Sequence, residues 1–421
     1  MELKPNQTVN LTVGGTAKVI KELGRGGQGI VYLVDLNGEK KALKWYHNPP
    51  ADAFYKNLQR NVSQGAPSDA FIWPEYVTAK ENGSYGYIMK LRPKEYYEFG
   101  NFLLAKARFK SFTAMLAAAM KICDGFMMLH RFGYSYQDLN DGNFFINPVT
   151  GDVLICDNDN VMPQGEQSGI MGKARYMAPE IVAGGSPDKY SDRYSLSVLL
   201  FMLFFLNHPL EGARVAACPC MTERYEKKFY GSEAEFIFDP NITDNRPVRG
   251  IHENAIRRWP LFPKILKDAF IQEFSQEVMK IPSKRMIEQN WKKIVEEARD
   301  EMIICPHCGE ETFVDVSTNV GKCVNCRKSI DISRRLLING RILPLTPKTK
   351  IFIDKDNIPD GVITTDSNGV MLIQNTSKDK WSVETPSGKI KIVDPQGIMP
   401  VKAGLKIGFT INGQPFKGEI K

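Results

Sequence analysis

The sequence predicts an α+β chain in four parts: a small antiparallel sheet over residues 1–92, a helical lobe over 93–300, a cysteine module over 301–330 and a small all-β domain over 331–421. Three observations carry this. Residues 1–92 hold short alternating runs, "KVIKEL", "IVYLVDL", "KKALKWY" and "YGYIMKL", with the period of two that half-buried strands need. From "SFTAMLAAAMKICDGFMMLHRFG" onward apolar residues recur every three or four positions. After the cysteines the alternation returns, cut at short intervals by "NG", "SNG", "PSG" and "NGQ" turns.

Bulk properties narrow the function classes. A chain of 421 residues suffices for two or three domains, and 43% apolar with 24% charged residues excludes disordered and fibrous classes. The net charge of +7 is spread along the length without a Lys/Arg run, which gives no support to nucleic-acid binding. The N-terminus "MELKPNQTVNLTV" lacks the apolar core of a signal peptide, so cytoplasmic residence is expected. "LSVLLFMLFFL", residues 196–206, is too short to span a bilayer and reads as a buried helix, so no membrane role is expected.

Within the first sheet, "LGRGGQGIVYLV" carries Gly24-x-Gly26-x-x-Gly29-x-Val31. Such a loop serves dinucleotide folds when a helix follows, but here "IVYLV" and the Asn37-Gly38 hairpin signal follow. The loop therefore joins two strands, and its small residues let backbone N–H groups close over phosphates. On the next strand, Ala42-x-Lys44 is a solvated face when taken alone. Paired with the glycine loop, Lys44 becomes a cation aimed at phosphates and Ala42 leaves room for an adenine ring.

In the helical lobe, "YSYQDLNDGNFFI" places Asp138 and Asn143 five positions apart before a short apolar strand. Asp157 follows at the end of the next strand, in "VLICDNDNV". The Asp and Asn run 157–160 reads as a turn or as a cation or phosphate site at the mouth of a sheet. In-line phosphoryl transfer asks for a carboxylate to accept the proton of the attacking hydroxyl and for oxygen ligands to Mg²⁺. One loop and the adjacent strand meet that need.

With these segments in order, the chain resembles the protein kinase superfamily over residues 12 to about 298. "YQDLNDGN" looks like the catalytic loop, "DND" at 157–159 stands where D-F-G is expected, and "GKARYMAPE" ends in A-P-E at 178–180. "YSDRYSLSVLLFMLF" resembles the central helix with Asp192 as backbone organiser, and Arg285 in "IPSKRM" stands where the ion-pair partner of Glu180 is found. The resemblance implies a bilobal protein kinase fold and an ATP- and Mg²⁺-dependent transfer of the γ-phosphate to Ser/Thr hydroxyls. It implies Lys44 on the α and β phosphates, Asp138 orienting the hydroxyl, and Asn143 with Asp157 on Mg²⁺. Gly24, Gly26, Gly29, Val31, Ala42, Lys44 and Met89 would line the nucleotide pocket.

Departures from the pattern sharpen the expectations. Asn158 and Asp159 replace Phe and Gly, and a polar Asn158 predicts a segment without the inward and outward flip. Tyr136 and Gln137 replace the His and Arg before the catalytic acid. Only Ser168 offers a hydroxyl between Asn160 and Lys173, so control by loop phosphorylation is not expected. Asn140 replaces the usual lysine, and Lys173 can bring that charge from the opposite side. The helix after Lys44 lacks the glutamate that normally pairs with the strand lysine, and Gln59 stands near its place. That gap keeps open an alternative, a nucleotide-binding pseudokinase scaffold.

"CPHC" at 305–308 and "CVNC" at 323–326 form two knuckles, Cys305, Cys308, Cys323 and Cys326, suited to a closed tetrahedral structural Zn²⁺ site. The last region looks like a divergent forkhead-associated-type β-sandwich, judged from "IQNTS" and Trp381, without an obvious phosphothreonine-binding Arg and Ser. A docking module and a capping domain are both open. The whole arrangement is similar to bacterial kinases of tellurite-resistance-type gene clusters. That likeness implies a PP2C-type phosphatase and a von Willebrand factor A-like protein as companions, the latter as substrate.

Overall fold

A computed structural model describes residues 2–48, 51–81, 83–167, 169, 172–354 and 358–421. The chain divides into two compact units: Met1–Lys110, Lys121–Arg246 and Glu273–Gln289 form the first, and Ser111–Met120, Pro247–Gln272 and Asn290–Lys421 the second. Ser168 lies outside the described residues.

The first unit begins with strands β1 (Thr8–Asn10), β2 (Thr16–Arg25), β3 (Gly29–Leu36) and β4 (Glu39–Tyr46), helix α1 (Asp52–Gln64), and strands β5 (Pro74–Val77) and β6 (Gly86–Lys90). The strands form one antiparallel sheet in the order β1-β2-β3-β4-β6-β5. Asn37 and Gly38 both have positive φ, 53° and 88°, as a two-residue hairpin between right-twisted strands requires. Side chains alternate across a strand, so β4 sends Leu43 and Trp45 into a core with Val9, Val19 and Ile30, and sends Ala42 and Tyr46 to the opposite face with Phe54 and Leu58 of α1. Lys44 shares the parity of Ala42 and Tyr46. This places a lysine on the face that α1 covers.

After the sheet come β7 (Tyr97–Glu98), α2 (Phe99–Leu103), α3 (Phe112–Arg131), β8 (Tyr134–Ser135), β9 (Phe144–Ile146), β10 (Val153–Ile155), β11 (Met162–Pro163), α4 (Pro179–Val182) and α5 (Lys189–Phe205). α3 is long and apolar enough to cross a membrane by length and composition, but 67% of its most apolar window is buried inside the protein. α5 holds most of the 196–206 run, and its side chains from Leu196 to Phe205 are buried throughout, which fits a core helix.

A histidine between two acids anchors this part of the unit. His130 Nδ1 lies 2.8 Å from Glu288 Oε1 and Nε2 lies 3.1 Å from Asp192 Oδ2. Two carboxylates facing both ring nitrogens require both to carry protons. Burial pulls the His130 pKa down, and the hydrogen bonds and charges of Asp192 and Glu288 more than reverse it, to about 9. A folded-state pKa raised above the unfolded value near 6.5 gives stability that is full below pH about 6.5 and is lost as pH rises through about 9. Chemical denaturation across that window is expected to show a loss on the order of 3 kcal/mol. His130→Gln should flatten the profile, and an unchanged slope in that variant would reject the assignment.

In the second unit, residues 302–331 carry two short antiparallel pairs, Met302–Ile304 with Glu311–Phe313 and Val320–Lys322 with Ser329–Asp331. Beyond them only strands are found among the described residues, in a six-stranded and a four-stranded antiparallel sheet. Ile338, Ile407 and Phe409 of the larger sheet share one core with Ile363 and Ile373 of the smaller, closed around the fully buried Trp381.

Candidate active site

The glycine loop is the turn between β2 and β3, with the Gly26 N–H donating to the Gly29 carbonyl at 2.9 Å. Gly29 has a packing reason to be glycine: a Cβ there would lie 2.2 Å from the Trp45 carbonyl oxygen on β4. Gly24 and Gly27 differ, since a Cβ on either would meet nothing within 4 Å. These two leave open space above the loop. Val31 stands opposite Lys44 and Ala42 opposite Met89 in the sheet register, and Ala42, Met89 and Val31 belong to one apolar cluster with Leu154.

The second wall comes from a short hairpin. β9 and β10 pair so that Phe144 faces Ile155, and the Cys156 N–H donates to the Asn143 carbonyl at 2.8 Å. Asn143 and Asp157 therefore stand at the same end of the hairpin. The side-chain Nδ2 of Asn143 donates to the Asp138 carbonyl at 2.8 Å, so Oδ1 is the atom of this amide that can ligate a cation. Asp157 adopts a left-handed conformation, φ 53°, that Asp tolerates at modest cost, and it starts a helical turn over Asn158–Asn160.

Asp138 is partly buried and held from two sides. Its Oδ1 accepts from Asn140 Nδ2 at 3.1 Å and its Oδ2 from Asn160 Nδ2 at 3.4 Å. Burial raises its pKa to about 6, the Asn140 hydrogen bond and Lys173 oppose that rise, and Asp157 and Asp159 add to it. Lys173 Nζ lies 3.2 Å from Asn140 Oδ1 and 3.4 Å from Asp141 Oδ1. The backbone beneath Asp138 hangs on Asp192, whose carboxylate accepts the N–H groups of Tyr136 at 2.7 Å and Gln137 at 3.1 Å. Arg285 grips Glu180 with two parallel hydrogen bonds of 2.7 and 2.6 Å, fixing the start of α4.

Lys44 differs from the expectation. Gln59 is exposed on α1, and no hydrogen bond from Lys44 to it is found among the described residues. The three N–H donors of the ammonium go instead to Asp159 Oδ2 at 2.9 Å, Gln28 Oε1 at 3.0 Å and Asp157 Oδ1 at 3.3 Å. Asp159 is fully buried, and its Oδ2 also accepts from the Tyr46 hydroxyl at 2.5 Å. Burial alone pulls the Lys44 pKa down; Asp159 and then Asp157 raise it above the ordinary lysine value. Asn158 is buried, its Nδ2 bonded to the carbonyls of Ile72 at 2.8 Å and Ile155 at 2.9 Å. α1 ties to the same segment through Asn57 and Asn61, whose amides donate to the Val161 carbonyl at 2.9 and 3.0 Å.

The structure thus brings Lys44, Asp157, Asp138 and Asn143 together, with Lys173 beside the loop of Asp138. Asp159, Tyr46, Gln28 and Asn160 were missed from sequence. The one signal that pointed to them was the second acid in "DND".

A protein kinase domain model matches residues 17–235, more than half of the chain. The chain is 27% identical to serine/threonine-protein kinase Pkn1 of Myxococcus xanthus over 220 residues, 48% of this chain and 31% of that one. It is 26% identical to probable serine/threonine-protein kinase SCO3848 of Streptomyces coelicolor over 248 residues, 55% of this chain and 35% of that one. The aligned part is about a third of each relative's length. Among solved structures, the Mycobacterium tuberculosis PknI kinase domain matches with a TM-score of 0.47 at 17% identity, over 70% of this chain and 100% of that one. With the glycine loop, the strand lysine and the two carboxylates gathered in one site, and the family model spanning the sheet and the loops that carry them, the chain belongs to the protein kinase family.

Proposed function

We propose that this chain is an ATP- and Mg²⁺-dependent serine/threonine protein kinase. The observation that carries the reading is the convergence of a buried lysine on Asp157, at the same hairpin end as Asn143, which is in turn bonded to the loop of Asp138. The site suits the groups it would take. Gly24 and Gly27 leave open space over the loop, and the donor set offered to a metal, Asn143 Oδ1 and the Asp157 carboxylate, is all oxygen, as a hard cation prefers. Bound Mg·ATP would supply an activated γ-phosphoryl group. Lys44 neutralises the α and β phosphates, while Val31, Ala42 and Met89 provide an apolar wall for the base. Asp138 orients the acceptor hydroxyl and takes its proton, and Lys173 sets positive charge beside the loop that holds Asp138.

The scaffold alternative rests on the missing helix glutamate, and the Asp159 carboxylate at 2.9 Å from Lys44 weighs against it. The acceptor is a protein hydroxyl, with a von Willebrand factor A-like companion as the substrate proposed and a PP2C-type phosphatase as its counterpart. Purified protein with Mg²⁺ and γ-labelled ATP should label that acceptor or a generic basic protein on Ser or Thr. Nucleotide binding without any labelled acceptor would favour the scaffold.

A second metal belongs to the cysteine module. Zn–S bonds of about 2.3 Å in a tetrahedron put sulfurs about 3.8 Å apart. Cys305 Sγ lies 3.8 Å from Cys326 Sγ and Cys308 Sγ 3.6 Å from Cys323 Sγ, and all four lie within 4.8 Å of one another. The fit supports a structural Zn²⁺. His307 faces the Ser329 carbonyl at 3.1 Å and takes no part. The β-sandwich is read as a forkhead-associated-like docking module, and cytoplasmic residence suits reduced thiolates.

A further inference from the structure

We propose that Asp159 is the positioning carboxylate of this site, replacing in function the helix glutamate that the chain lacks. The inference rests on the kinase reading for its catalytic consequence, but on geometry alone for its effect on Lys44.

An ammonium has three donors, and each of those of Lys44 has one acceptor. The three acceptors are not equivalent. Gln28 is a neutral amide on the glycine loop, and a neutral acceptor holds an ammonium less strongly than a carboxylate does. Asp157 has a side chain 43% exposed and is the acid that the metal would claim. Asp159 is fully buried, is the shortest of the three contacts, and stands opposite β4 between Lys44 and Tyr46 of that same strand. When phosphates and metal compete for Lys44 and Asp157, Asp159 is the partner that stays. A lysine as buried as Lys44 needs such a partner, because an unpaired charge in a dry site is costly.

The placement of α1 supports this. Its buried polar side chains, Asn57 and Asn61, donate to the Val161 carbonyl, two residues beyond Asp159. Here α1 helps to hold the segment that carries the carboxylate; it does not carry the carboxylate itself. On nucleotide binding Asp159 acts through Lys44, the ammonium it holds at 2.9 Å. In nucleotide affinity its loss should therefore behave as the loss of Lys44 does.

The test is a double-mutant cycle on the full chain with Asp159→Asn and Lys44→Met, read in two ways: affinity for a fluorescent ATP analogue, and phosphoryl transfer to a basic acceptor protein. The expected result is that each single variant weakens nucleotide binding about tenfold or more, and that the double variant is no worse than the worse single one. Independent, multiplying losses would mean that Asp159 has only a structural role and would overturn the proposal. So would an Asp159→Asn protein that binds and turns over within about twofold of the parent. Should Asp159→Asn fail to fold, Tyr46→Phe serves instead, since it removes one hydrogen bond to Asp159 Oδ2 and leaves the carboxylate. That variant should lose several-fold in nucleotide affinity in the presence of Lys44 and nothing in Lys44→Met. An equal loss in both backgrounds would again overturn the proposal. Gln59→Ala should leave binding unchanged, and a loss matching that of Asp159→Asn would return the role to α1. The binding cycle works without any transfer. A coupled cycle in a protein that labels no acceptor would uphold Asp159 as the lysine's partner and remove only the kinase reading.

Discussion

Asp138→Asn is expected to leave nucleotide affinity within about twofold and to cut phosphoryl transfer by roughly 10²–10⁴-fold, the range for losing a general base. Among the described residues the hydrogen bonds of Lys44 go to Gln28, Asp157 and Asp159, and the substitution keeps the shape of Asp138, so binding of the adenine and phosphates should survive. What is lost is the acceptor for the hydroxyl proton. The pH profile provides an independent check. Burial, with Asp157 and Asp159 nearby, sets the Asp138 pKa at about 6, and the active form is the ionised one. Transfer by the parent protein in kcat/KM, which reports the free enzyme, should therefore fall as pH drops through about 6. The residual rate of Asp138→Asn should not show that acid limb. Transfer that persists near the parental rate in the variant would reject Asp138 as the base.

The second large effect is expected on removing the zinc proposed for the cysteine module. The local core comprises Ile303, Cys305, Val314, Cys323, Ile330 and Ile332, far too few residues to hold a fold without a cross-link. Structural Zn²⁺ in small thiolate sites contributes on the order of 10 kcal/mol or more. Chelation, or Cys305→Ser, is expected to release one zinc per chain and to open residues 301–332 to protease. Cys218→Ser should do neither, since Cys218 lies outside the cluster. Protein prepared without chelator that holds no zinc, and resists protease as well with chelator as without, would remove the metal from the reading.

How much of this was legible in the sequence depends on where each contact comes from. Lys44, Ala42 and Met89 were legible because strand alternation and register place them, and Asn143 and Asp157 because they flank the strands of one hairpin. The cysteine cluster was legible because each knuckle is local, two cysteines three positions apart. Asp159 was not legible as the partner of Lys44. A carboxylate partner is expected on α1 at helical spacing, whereas the contact reaches 115 positions along the chain, to a segment whose sequence reads as a turn or a cation site. Asn158 shows the same limit: its polarity was read only for what it implies about a flip, and its burial, with both N–H donors spent on backbone carbonyls, was not legible. Burial of a polar residue is settled by whether acceptors await it, and those acceptors belong to Ile72 and Ile155.

Placing the lysine's proposed partner two residues from the acid proposed for the metal also gathers the arrangement into one short segment. In a kinase that keeps the carboxylate on a helix, transplanting the charge arrangement means moving two elements and preserving their angle. Here one tripeptide, 157–159, brings both acids, and a tyrosine two positions after the strand lysine completes their surroundings. α1 then meets this segment through two neutral amides, Asn57 and Asn61, and brings no charge to Lys44.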